Sequence, residues 1–382
     1  MQRIYLDNAA TSWPKPPAVY EAIDRYQRDI GAAAGRAGYD SASQAASIVT
    51  AARVAVARQI GAGDPSRVVF SASGTESLNL AIQGLLRPGD HVVTTVCEHN
   101  SVLRPLAMLR EAGGVTVNYV GCDAAGVVDP SEVEAAITPS TRLVAVTAAS
   151  NVTGALQPIE PIGELCRRRG VSFLVDAAQV LGHTEIDVQA SHISLLASPG
   201  HKGLLGPLGT GFLYVSEGLE ESLHPLLHGG TGINSDKESP PAKLPARYEA
   251  GNLNVPALAG LEAGIRQLPP AIKAPLEAIT QRVVAELSDM PKVQVFGPPA
   301  GVERAPVVGF RVEGYDPHDA AAVLAASGIE CRAGLHCAPR MHKALGTAEC
   351  GGAVRISPGH ATTDDEIDQT IQQVRSLADT TG

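Results

Sequence analysis

A single lysine, Lys202, lies among small and apolar residues, and this setting suits an amine nucleophile. The chain contains only seven lysines, and none of the others lies between Lys15 and Lys237. Residues 198–207 read Ser-Pro-Gly-His-Lys-Gly-Leu-Leu-Gly-Pro. Such surroundings remove water from an amine and lower its pKa, which a lysine that forms a Schiff base requires. The alternative is an ordinary surface lysine on a glycine turn.

Asp176 offers a partner for a cationic ligand. It ends the apolar run Phe-Leu-Val of residues 173–175, where a carboxylate needs a cation or several hydrogen-bond donors. Pyridoxal 5'-phosphate (PLP) supplies such a cation, because its ring nitrogen is protonated when paired with an aspartate and the ring then accepts electrons. An aspartate that caps the N-terminus of a helix is the alternative interpretation.

A third group of residues, Ser73-Gly74-Thr75, precedes a predicted helix and could hold a phosphate. The backbone N–H groups at a helix start, together with the two hydroxyls, form an anion site. The same residue types also cap helices that bind nothing. The segment lacks the lysine of a P-loop, and no G-x-G-x-x-G motif follows the strand, which argues against a nucleotide.

Three more residues could take part in catalysis or substrate binding. His99 directly follows a predicted strand, although a single histidine in such a position is more often structural. Cys337 lies in the segment Cys-Arg-Ala-Gly-Leu-His-Cys-Ala-Pro of residues 331–339. Zinc is a rival ligand there, but no C-x(2–4)-C pair is present, and a buried free cysteine is the plainer alternative. Arg355 interrupts an apolar strand and needs an anionic partner, for which a substrate carboxylate held by two hydrogen bonds is suitable.

Composition excludes several classes of protein. The 382 residues include 40 acidic and 30 basic side chains, and the net charge of −10 argues against a nucleic-acid-binding protein. No stretch reaches about 18 consecutive apolar residues, so no membrane span is predicted. The first 17 residues have no apolar region typical of a secretory signal. Six cysteines without such a signal favour free thiols and a cytoplasmic location.

Short apolar runs alternate with helical patterns over residues 15–255, which predicts an α/β fold with a mostly parallel sheet. The predicted strands cover residues 67–70, 91–96, 116–120, 143–147, 172–175 and 211–215, and the predicted helices cover residues 40–60 and 76–86. Polar residues follow four of these strands, so we expect a ligand crevice at their C-terminal ends.

The pattern changes near residue 256. The preceding segment, residues 229–256, is irregular and rich in proline, glycine and asparagine. Beyond it, helices are predicted over residues 258–268, 274–289 and 316–327, and strands over residues 293–296 and 307–312. We therefore predict a large domain of residues 15–255 and a smaller α+β domain of residues 1–14 and 256–382, which carries the Cys337 loop.

Taken together and in this order, these residues resemble the class V aminotransferase family, and within it the cysteine desulfurase-like proteins. The resemblance covers nearly the whole chain. It rests on segments 5–16 (YLDNAATSWPKP), 73–79 (SGTESLN), 98–101 (EHNS), 151–154 (NVTG), 176–179 (DAAQ), 200–203 (GHKG), 249–251 (EAG) and 332–338 (RAGLHCA), and on Arg355. The short Arg-x-Gly-x-His-Cys-Ala loop is similar to that of the second group of desulfurases, which includes proteins like selenocysteine lyase.

The resemblance implies the fold type I architecture of PLP enzymes, PLP as the cofactor, and a homodimer with active sites at the subunit interface. Lys202 would carry the cofactor as a Schiff base, and Asp176 would pair with its pyridine nitrogen. The other cofactor contacts would come from His99 (stacking on the ring), Gln179 (phenolic oxygen), Gly74, Thr75 and His201 (phosphate), Asn151 and Asn252. The substrate-binding residues would be Asn8, Asn151 and Arg355.

The reaction implied by the resemblance converts L-cysteine to L-alanine. The Cys337 thiolate would attack the substrate sulfur and keep it as a persulfide, which a sulfur-acceptor protein would take. Positive neighbours such as Arg332 or a protonated His336 would stabilise that thiolate. The alternatives are a selenocysteine lyase, another PLP-dependent C–S lyase, an epimerase, an aminotransferase or a non-catalytic interaction protein. The sequence does not distinguish cysteine from selenocysteine, and it does not identify the acceptor, an activator or the pathway.

Three positions depart from the family pattern. Pro199 stands where the family usually has Ser or Thr, Asn252 where it usually has Thr, and Leu335 where the second group commonly has His. The first two changes each remove a hydroxyl from the phosphate site. We therefore expect a weaker or rearranged cofactor grip, with Ser198 and the Asn252 amide as substitutes. The third change would alter proton handling near Cys337.

Overall fold

The computed structural model describes residues 3–35, 38–233, 236–239, 241–269 and 271–380. Its strands, numbered along the chain, are β1 (Ile4–Tyr5), β2 (Val68–Ser71), β3 (His91–Thr95), β4 (Thr116–Val120), β5 (Thr141–Thr147), β6 (Ser172–Asp176), β7 (Leu195–Pro199), β8 (Gly211–Val215), β9 (Val293–Phe296), β10 (Val308–Val312), β11 (Ile329–Glu330), β12 (Arg332–Gly334) and β13 (Ala353–Ile356). Each predicted strand is present, with ends within three residues of the prediction.

The five predicted helices are also present, with ends within three residues of the prediction. The α-helices are α1 (Pro17–Arg25), α2 (Asp40–Gln59), α3 (Gly74–Leu85), α4 (Asn100–Glu111), α5 (Pro130–Ala136), α6 (Ile159–Arg169), α7 (Val255–Arg266), α8 (Lys273–Ser288), α9 (Pro317–Ala326), α10 (Pro339–Ala344) and α11 (Asp364–Thr380). Within the described ranges, no helix is both long enough and apolar enough to cross a membrane.

Seven of the described strands form one sheet, in the order β2-β8-β7-β6-β5-β3-β4. Strand β8 runs antiparallel to its two neighbours, and the other pairs are parallel. Nearly every residue of β5, β6 and β7 is buried, as expected for a parallel sheet covered on both faces. The predicted α/β fold with a mostly parallel sheet is confirmed.

The sequence prediction gave no bounds for several of these elements, among them α1, α4 and β7. The β7 segment, Leu-Leu-Ala-Ser-Pro, is short, ends in proline and leads into glycine-rich chain, so its local pattern is that of a turn. In the structure it lies between β6 and β8, and all five of its residues are buried. Lys202 follows three residues after the end of this strand. Strand β7 therefore places the lysine beside the C-terminal end of its parallel neighbour β6.

The C-terminal elements build a second core. Among the described residues, β12, β13, β10 and β9 form an antiparallel sheet in that order, and β1 pairs in parallel with β11. Ile4 and Leu6 pack into this core with apolar residues between positions 283 and 378. Helix α7 instead contributes Val255, Leu258 and Leu261 to the core of the larger sheet. The residues at which the two domains begin and end stay a prediction.

Candidate active site

The C-terminal ends of the parallel strands surround one pocket. Its lining comprises Ser73, Gly74, Thr75, Leu78, His99, Ser101, Thr147, Asn151, Asp176, Ala178, Gln179, Pro199, His201 and Lys202. Its empty volume, with the solvent at its mouth, is about 680 Å³. Nine candidate residues from the sequence analysis thus meet here, because parallel strands deliver their C-terminal residues to one edge of the sheet.

Lys202 contributes an amine that loses its proton easily. Burial lowers the pKa of Lys202 to about 8, against the opposing attraction of Asp176 and with a smaller contribution from Arg355. The next residue, Gly203, has to be glycine. A Cβ there would lie 2.1 Å from the Leu181 carbonyl oxygen. The glycine pattern around the lysine therefore reflects close approach of two backbone segments.

Asp176 presents a carboxylate to the pocket from the last residue of β6. The residue is only 5% exposed, and its Oδ1 accepts a hydrogen bond from the Ala178 N–H (3.0 Å). Burial raises the pKa of Asp176, whereas Ala178 and then the charge of Lys202 oppose that shift. A buried carboxylate with few donors is stabilised by a cationic ligand. Because β7 and not a helix follows β6, the helix-cap alternative does not apply.

The start of α3 offers hydrogen-bond donors to an anion. Ser73 caps this helix with its side-chain oxygen. Gly74 begins the helix and lies against Pro199, since a Cβ on Gly74 would come within 2.8 Å of the proline Cδ. The Oγ1 of Thr75 lies 2.8 Å from the Oγ of Ser101. Two hydroxyls and the first N–H groups of a helix therefore lie together, an arrangement that binds phosphate.

Ser101, and not Ser198, places a hydroxyl in the pocket. Successive side chains of a strand point to opposite faces. Pro199 lines the pocket, whereas the buried Ser198 hydroxyl donates to the Pro199 carbonyl (3.3 Å), so the expected substitution by Ser198 is wrong. Sequence reasoning missed Ser101, although its place two residues after His99, at a helix start, was an available signal. Asn252 is exposed and lies outside the pocket of its own chain, so its contact with a partner's cofactor stays a prediction.

Two neutral histidines line the pocket. The Nδ1 of His99 accepts the Ser101 N–H (3.0 Å), which places the proton of the neutral ring on Nε2. Burial, followed by the charges of Lys202 and Arg355, lowers the pKa of His99 to about 4. Burial and Lys202 also lower the pKa of His201 to about 4. The buried Nδ1 of His201 has no hydrogen-bond partner within the described residues, and an unsatisfied atom of this kind points to a ligand.

Gln179 and Asn8 connect this pocket to the N-terminal segment. The Nε2 of Gln179 donates to the Ala9 carbonyl (3.1 Å). Asn8 lines a smaller neighbouring pocket, which shares Gln179 and Lys202 with the first. The Nδ2 of Asn8 donates to the Ser357 carbonyl (3.0 Å), and its Oδ1 accepts a backbone N–H (3.2 Å). The Asn8 amide thus holds the backbone together, and its role toward substrate stays a prediction.

Cys337 lies on a loop that is fixed beside the pocket. Its carbonyl accepts the N–H of Asn100, the first residue of α4 (2.7 Å). The preceding carbonyl, of His336, accepts a hydrogen bond from Asn151 Nδ2 (2.6 Å). His336 and Cys337 have left-handed backbone angles, with φ of 50° and 57°. Each such angle costs about 1–3 kcal/mol, so the loop stores strain while it leaves the Cys337 residue exposed.

His336 is not the cation expected beside Cys337. Its Nδ1 lies 3.3 Å from the Nε2 of His342. Burial, and after it the charge of Arg355, lowers the pKa of His336 to about 2. The ring is therefore neutral at pH 7, and the expectation that a protonated His336 assists the thiolate is wrong. The exposed Arg332 is left as a positive neighbour of this loop.

Arg355 is a buried cation that already has an anionic partner. Its Nη1 donates to the Asn151 carbonyl (3.1 Å), and its Nη2 donates to Asp7 Oδ1 (2.8 Å). Arg355 does not line the pocket itself, but it contacts the pocket residue Asn151. Sequence reasoning missed Asp7, which provides the anion that Arg355 needs. The only signal for it was an acidic residue in the N-terminal Tyr-Leu-Asp-Asn motif.

A protein-family model described as aminotransferase class-V matches residues 4–370. The chain belongs to this family. The resemblance inferred from the motifs is thereby confirmed, and the match includes both the pocket and the Cys337 loop.

This class-V aminotransferase family member is similar to several cysteine desulfurases. One relative is a probable cysteine desulfurase from Methanothermobacter thermautotrophicus, 37% identical over 389 aligned positions that cover 98% of this chain and 95% of the relative. The apo structure of the cysteine desulfurase from Thermococcus onnurineus NA1 superposes with a TM-score of 0.92 at 34% identity, covering 99% of this chain and 95% of that one. The cysteine desulfurase CsdA from Escherichia coli, in an S-sulfonic acid form, gives 0.88 at 28% identity, with coverage of 99% and 95%.

Proposed function

We propose that this chain is a PLP-dependent cysteine desulfurase, which converts L-cysteine to L-alanine and keeps the sulfur on Cys337 as a persulfide. The observation that carries the proposal is the exposed Cys337 on a loop docked beside a pocket that contains both Lys202 and Asp176. The cysteine desulfurases among the relatives and the solved structures support it.

Three features of the pocket support PLP as the cofactor. The unpaired Nδ1 of His201 and the first N–H groups of α3 suit a phosphate. The buried carboxylate of Asp176 suits a protonated ring nitrogen. The amine of Lys202, with a pKa of about 8, suits an aldehyde. The residues present therefore fit the cofactor that the motifs imply.

The pocket residues would divide the proton transfers among them. When bound, PLP would supply an electron sink for the pair left at the substrate Cα. Lys202 Nζ would take and return the Cα proton, because a pKa of about 8 leaves roughly a tenth of the amine neutral at pH 7. His99 stays neutral under the same conditions, and its Nε2–H is a hydrogen-bond donor.

Cys337 would act as the nucleophile toward sulfur. As the Cys337 thiolate forms an S–S bond with the substrate sulfur, the bond between that sulfur and the substrate Cβ breaks. The electron pair of the broken bond stays with the carbon, which takes up a proton and leaves as alanine. The persulfide remains on an exposed residue, where a sulfur-acceptor protein could reach it.

The decisive assay incubates the purified, PLP-loaded protein with L-cysteine and a reductant. We expect equal amounts of alanine and sulfide, because each turnover releases one alanine and the reductant frees one sulfide from Cys337. 3-Mercaptopyruvate in place of alanine would indicate an aminotransferase, and pyruvate with ammonia and sulfide would indicate a β-eliminating C–S lyase; either product contradicts the proposal. The same assay with selenocysteine measures which of the two substrates is preferred.

We also propose that the protein works as a homodimer. Leu208, Leu226 and Leu227 are large apolar side chains that a single chain leaves exposed, which is typical of an interface. Asn252, also exposed, would then reach the cofactor phosphate of the partner subunit. Sedimentation equilibrium of the PLP-loaded protein measures the oligomeric state, and a monomer at micromolar concentration would contradict the proposed homodimer.

Covalent uptake of PLP by the apoprotein is expected to rise with pH around a midpoint near 8. The neutral amine is the reactive form, and burial lowers the pKa of Lys202 from 10.5 to about 8. At pH 9 most of this amine is neutral, whereas an ordinary lysine is still protonated. Borohydride fixation of PLP over a pH series measures the midpoint, and a value above about 10 would show that Lys202 is solvated.

Pro199→Ser is expected to tighten PLP binding about tenfold or more. Pro199 lines the pocket beside Gly74, and a hydroxyl at this position can donate to a phosphate. A hydrogen bond to a charged group contributes roughly 1.5–3 kcal/mol. Equilibrium dialysis of PLP measures the change. Ser198→Ala is the matched control, because the Ser198 hydroxyl bonds to the backbone outside the pocket.

Asn252→Thr tests the same idea from the partner side of the site. We expect it to tighten PLP binding as well, since it restores the second missing hydroxyl. An unchanged affinity for PLP in both Pro199→Ser and Asn252→Thr would mean that the two missing hydroxyls do not weaken PLP binding.

A further inference from the structure

Two arginines stand directly opposite each other in the small antiparallel sheet. Arg332 of β12 pairs with Arg355 of β13, and like charges in this position destabilise a sheet. The Asp7 carboxylate lies between them. Its Oδ1 accepts from Arg355 Nη2 (2.8 Å), and its Oδ2 accepts from Arg332 Nε (3.0 Å) and Nη2 (2.8 Å). One anion thus joins two cations, and this Asp7 cluster (Asp7, Arg332 and Arg355) keeps one net positive charge.

The backbone holds Asp7 in place. Asp7 forms a parallel bridge with Ser357, the residue directly after β13. The Oγ of Ser357 accepts the Ala9 N–H (2.9 Å), and the Asp7 carbonyl accepts the Tyr5 hydroxyl (3.3 Å). The Asp7 side chain is 15% exposed. The backbone is thus fixed, and the three hydrogen bonds from the two arginines hold the carboxylate between them.

Arg355 keeps one donor free for another anion. Its two terminal nitrogens bond to the Asn151 carbonyl and to Asp7, whereas its buried Nε has no hydrogen-bond partner among the described residues. The side chain is only 3% exposed, and a buried charged N–H without an acceptor points to a ligand. Asn151 lines the pocket, so this cation lies one residue behind the proposed substrate space.

We infer that Asp7 is a positioning residue that sets the affinity of the site for the substrate carboxylate, acting through Arg355. The inference rests on the proposed function. With Asp7, one net positive charge meets one carboxylate, so the substrate binds and alanine can leave. Without it, two positive charges would hold any carboxylate more tightly, the product included. Burial and the bond to Asn151 still orient Arg355 in that case, so the change in charge is the larger effect.

Four proteins test this inference: the wild type, Asp7→Asn, Arg332→Gln and the double variant. Their Asp7 clusters carry three different net charges. The net positive charge is two in Asp7→Asn, one in the wild type, none in Arg332→Gln and one again in the double variant. L-Alanine is the probe, because it has the carboxylate but no sulfur for Cys337 to attack. Its Kd is measured on the PLP-loaded proteins from the change in cofactor absorbance.

We expect Asp7→Asn to bind L-alanine at least about tenfold more tightly than the wild type, and Arg332→Gln about tenfold more weakly. The double variant should return to within about threefold of the wild type, because its cluster again carries one net positive charge. Glu330→Gln is the matched control. Like Asp7→Asn, it removes one negative charge, and it lies two residues from Arg332. Glu330 pairs with Arg3 on the exposed surface, so we expect less than about a twofold change in alanine affinity.

A merely structural role for Asp7 would lower the Tm of Asp7→Asn without this order of affinities. That result, or weaker alanine binding in Asp7→Asn, overturns the inference. If Asp7→Asn does not fold, an unchanged alanine affinity in Arg332→Gln overturns it. The two proposals fail separately: a wild type that makes no alanine from L-cysteine refutes the proposed function, whereas an active wild type with the wrong order of affinities refutes only the inference.

Discussion

Lys202→Ala is expected to lower the rate of alanine formation from L-cysteine by at least about 10³-fold. Lys202 supplies an amine whose pKa of about 8 allows it to exchange a proton with the substrate Cα near neutral pH. Its neighbours cannot replace it, because His99 and His201 have pKa values of about 4 and are weak bases at pH 7. The protein is incubated with L-cysteine and excess PLP, and amino-acid analysis of the alanine formed measures the loss.

Lys237→Ala is the control for this variant, because Lys237 is an exposed lysine outside the pocket. It should keep the wild-type rate. After borohydride reduction, the wild type and Lys237→Ala should retain PLP through denaturation, and Lys202→Ala should release it. A Lys202→Ala variant that keeps more than about a tenth of the wild-type rate would remove this lysine from the proposed proton transfer.

The sequence correctly predicted those pocket residues that directly follow a strand. Gly74, His99, Asn151 and Asp176 each come shortly after an apolar run, and the C-terminal ends of parallel strands meet at one edge of a sheet. This inference needs only the order of elements along the chain. It succeeded for Lys202 as well, although β7 was missed, because the residue types around the lysine pointed to the same chemistry.

The pairings between distant segments could not be predicted in this way. Asp7 and Arg355 are separated by 348 positions, and no local pattern relates an N-terminal aspartate to a C-terminal arginine. The protonation state of His336 is a second example. Its neutrality follows from burial and from the nearby charge of Arg355, and neither can be read from the segment that contains it.

Cys337→Ala is expected to stop desulfurisation and leave the cofactor pocket intact. Without the thiolate, no S–S bond can form with the substrate sulfur, so alanine formation should fall by at least about 10²-fold. The backbone bond from Asn100 to residue 337 does not involve the side chain, and the residue is exposed, so the fold should not change. Alanine output measures the loss, and the PLP absorbance reports the state of the pocket. Cys350→Ala is the matched control, because Cys350 is also an exposed free cysteine.

The same variant separates the desulfurase from the lyase alternative. Alanine released from L-cysteine at the wild-type rate by Cys337→Ala would mean that sulfur leaves without an enzyme persulfide. A lyase would then be the better description. If the variant no longer turns over cysteine but still cleaves selenocysteine, the Cys337 thiol is required only for the removal of sulfur. The backbone favours a required thiol, because the left-handed angles at His336 and Cys337 cost folding energy, and that cost is explained if the exposed cysteine has to be held beside the pocket.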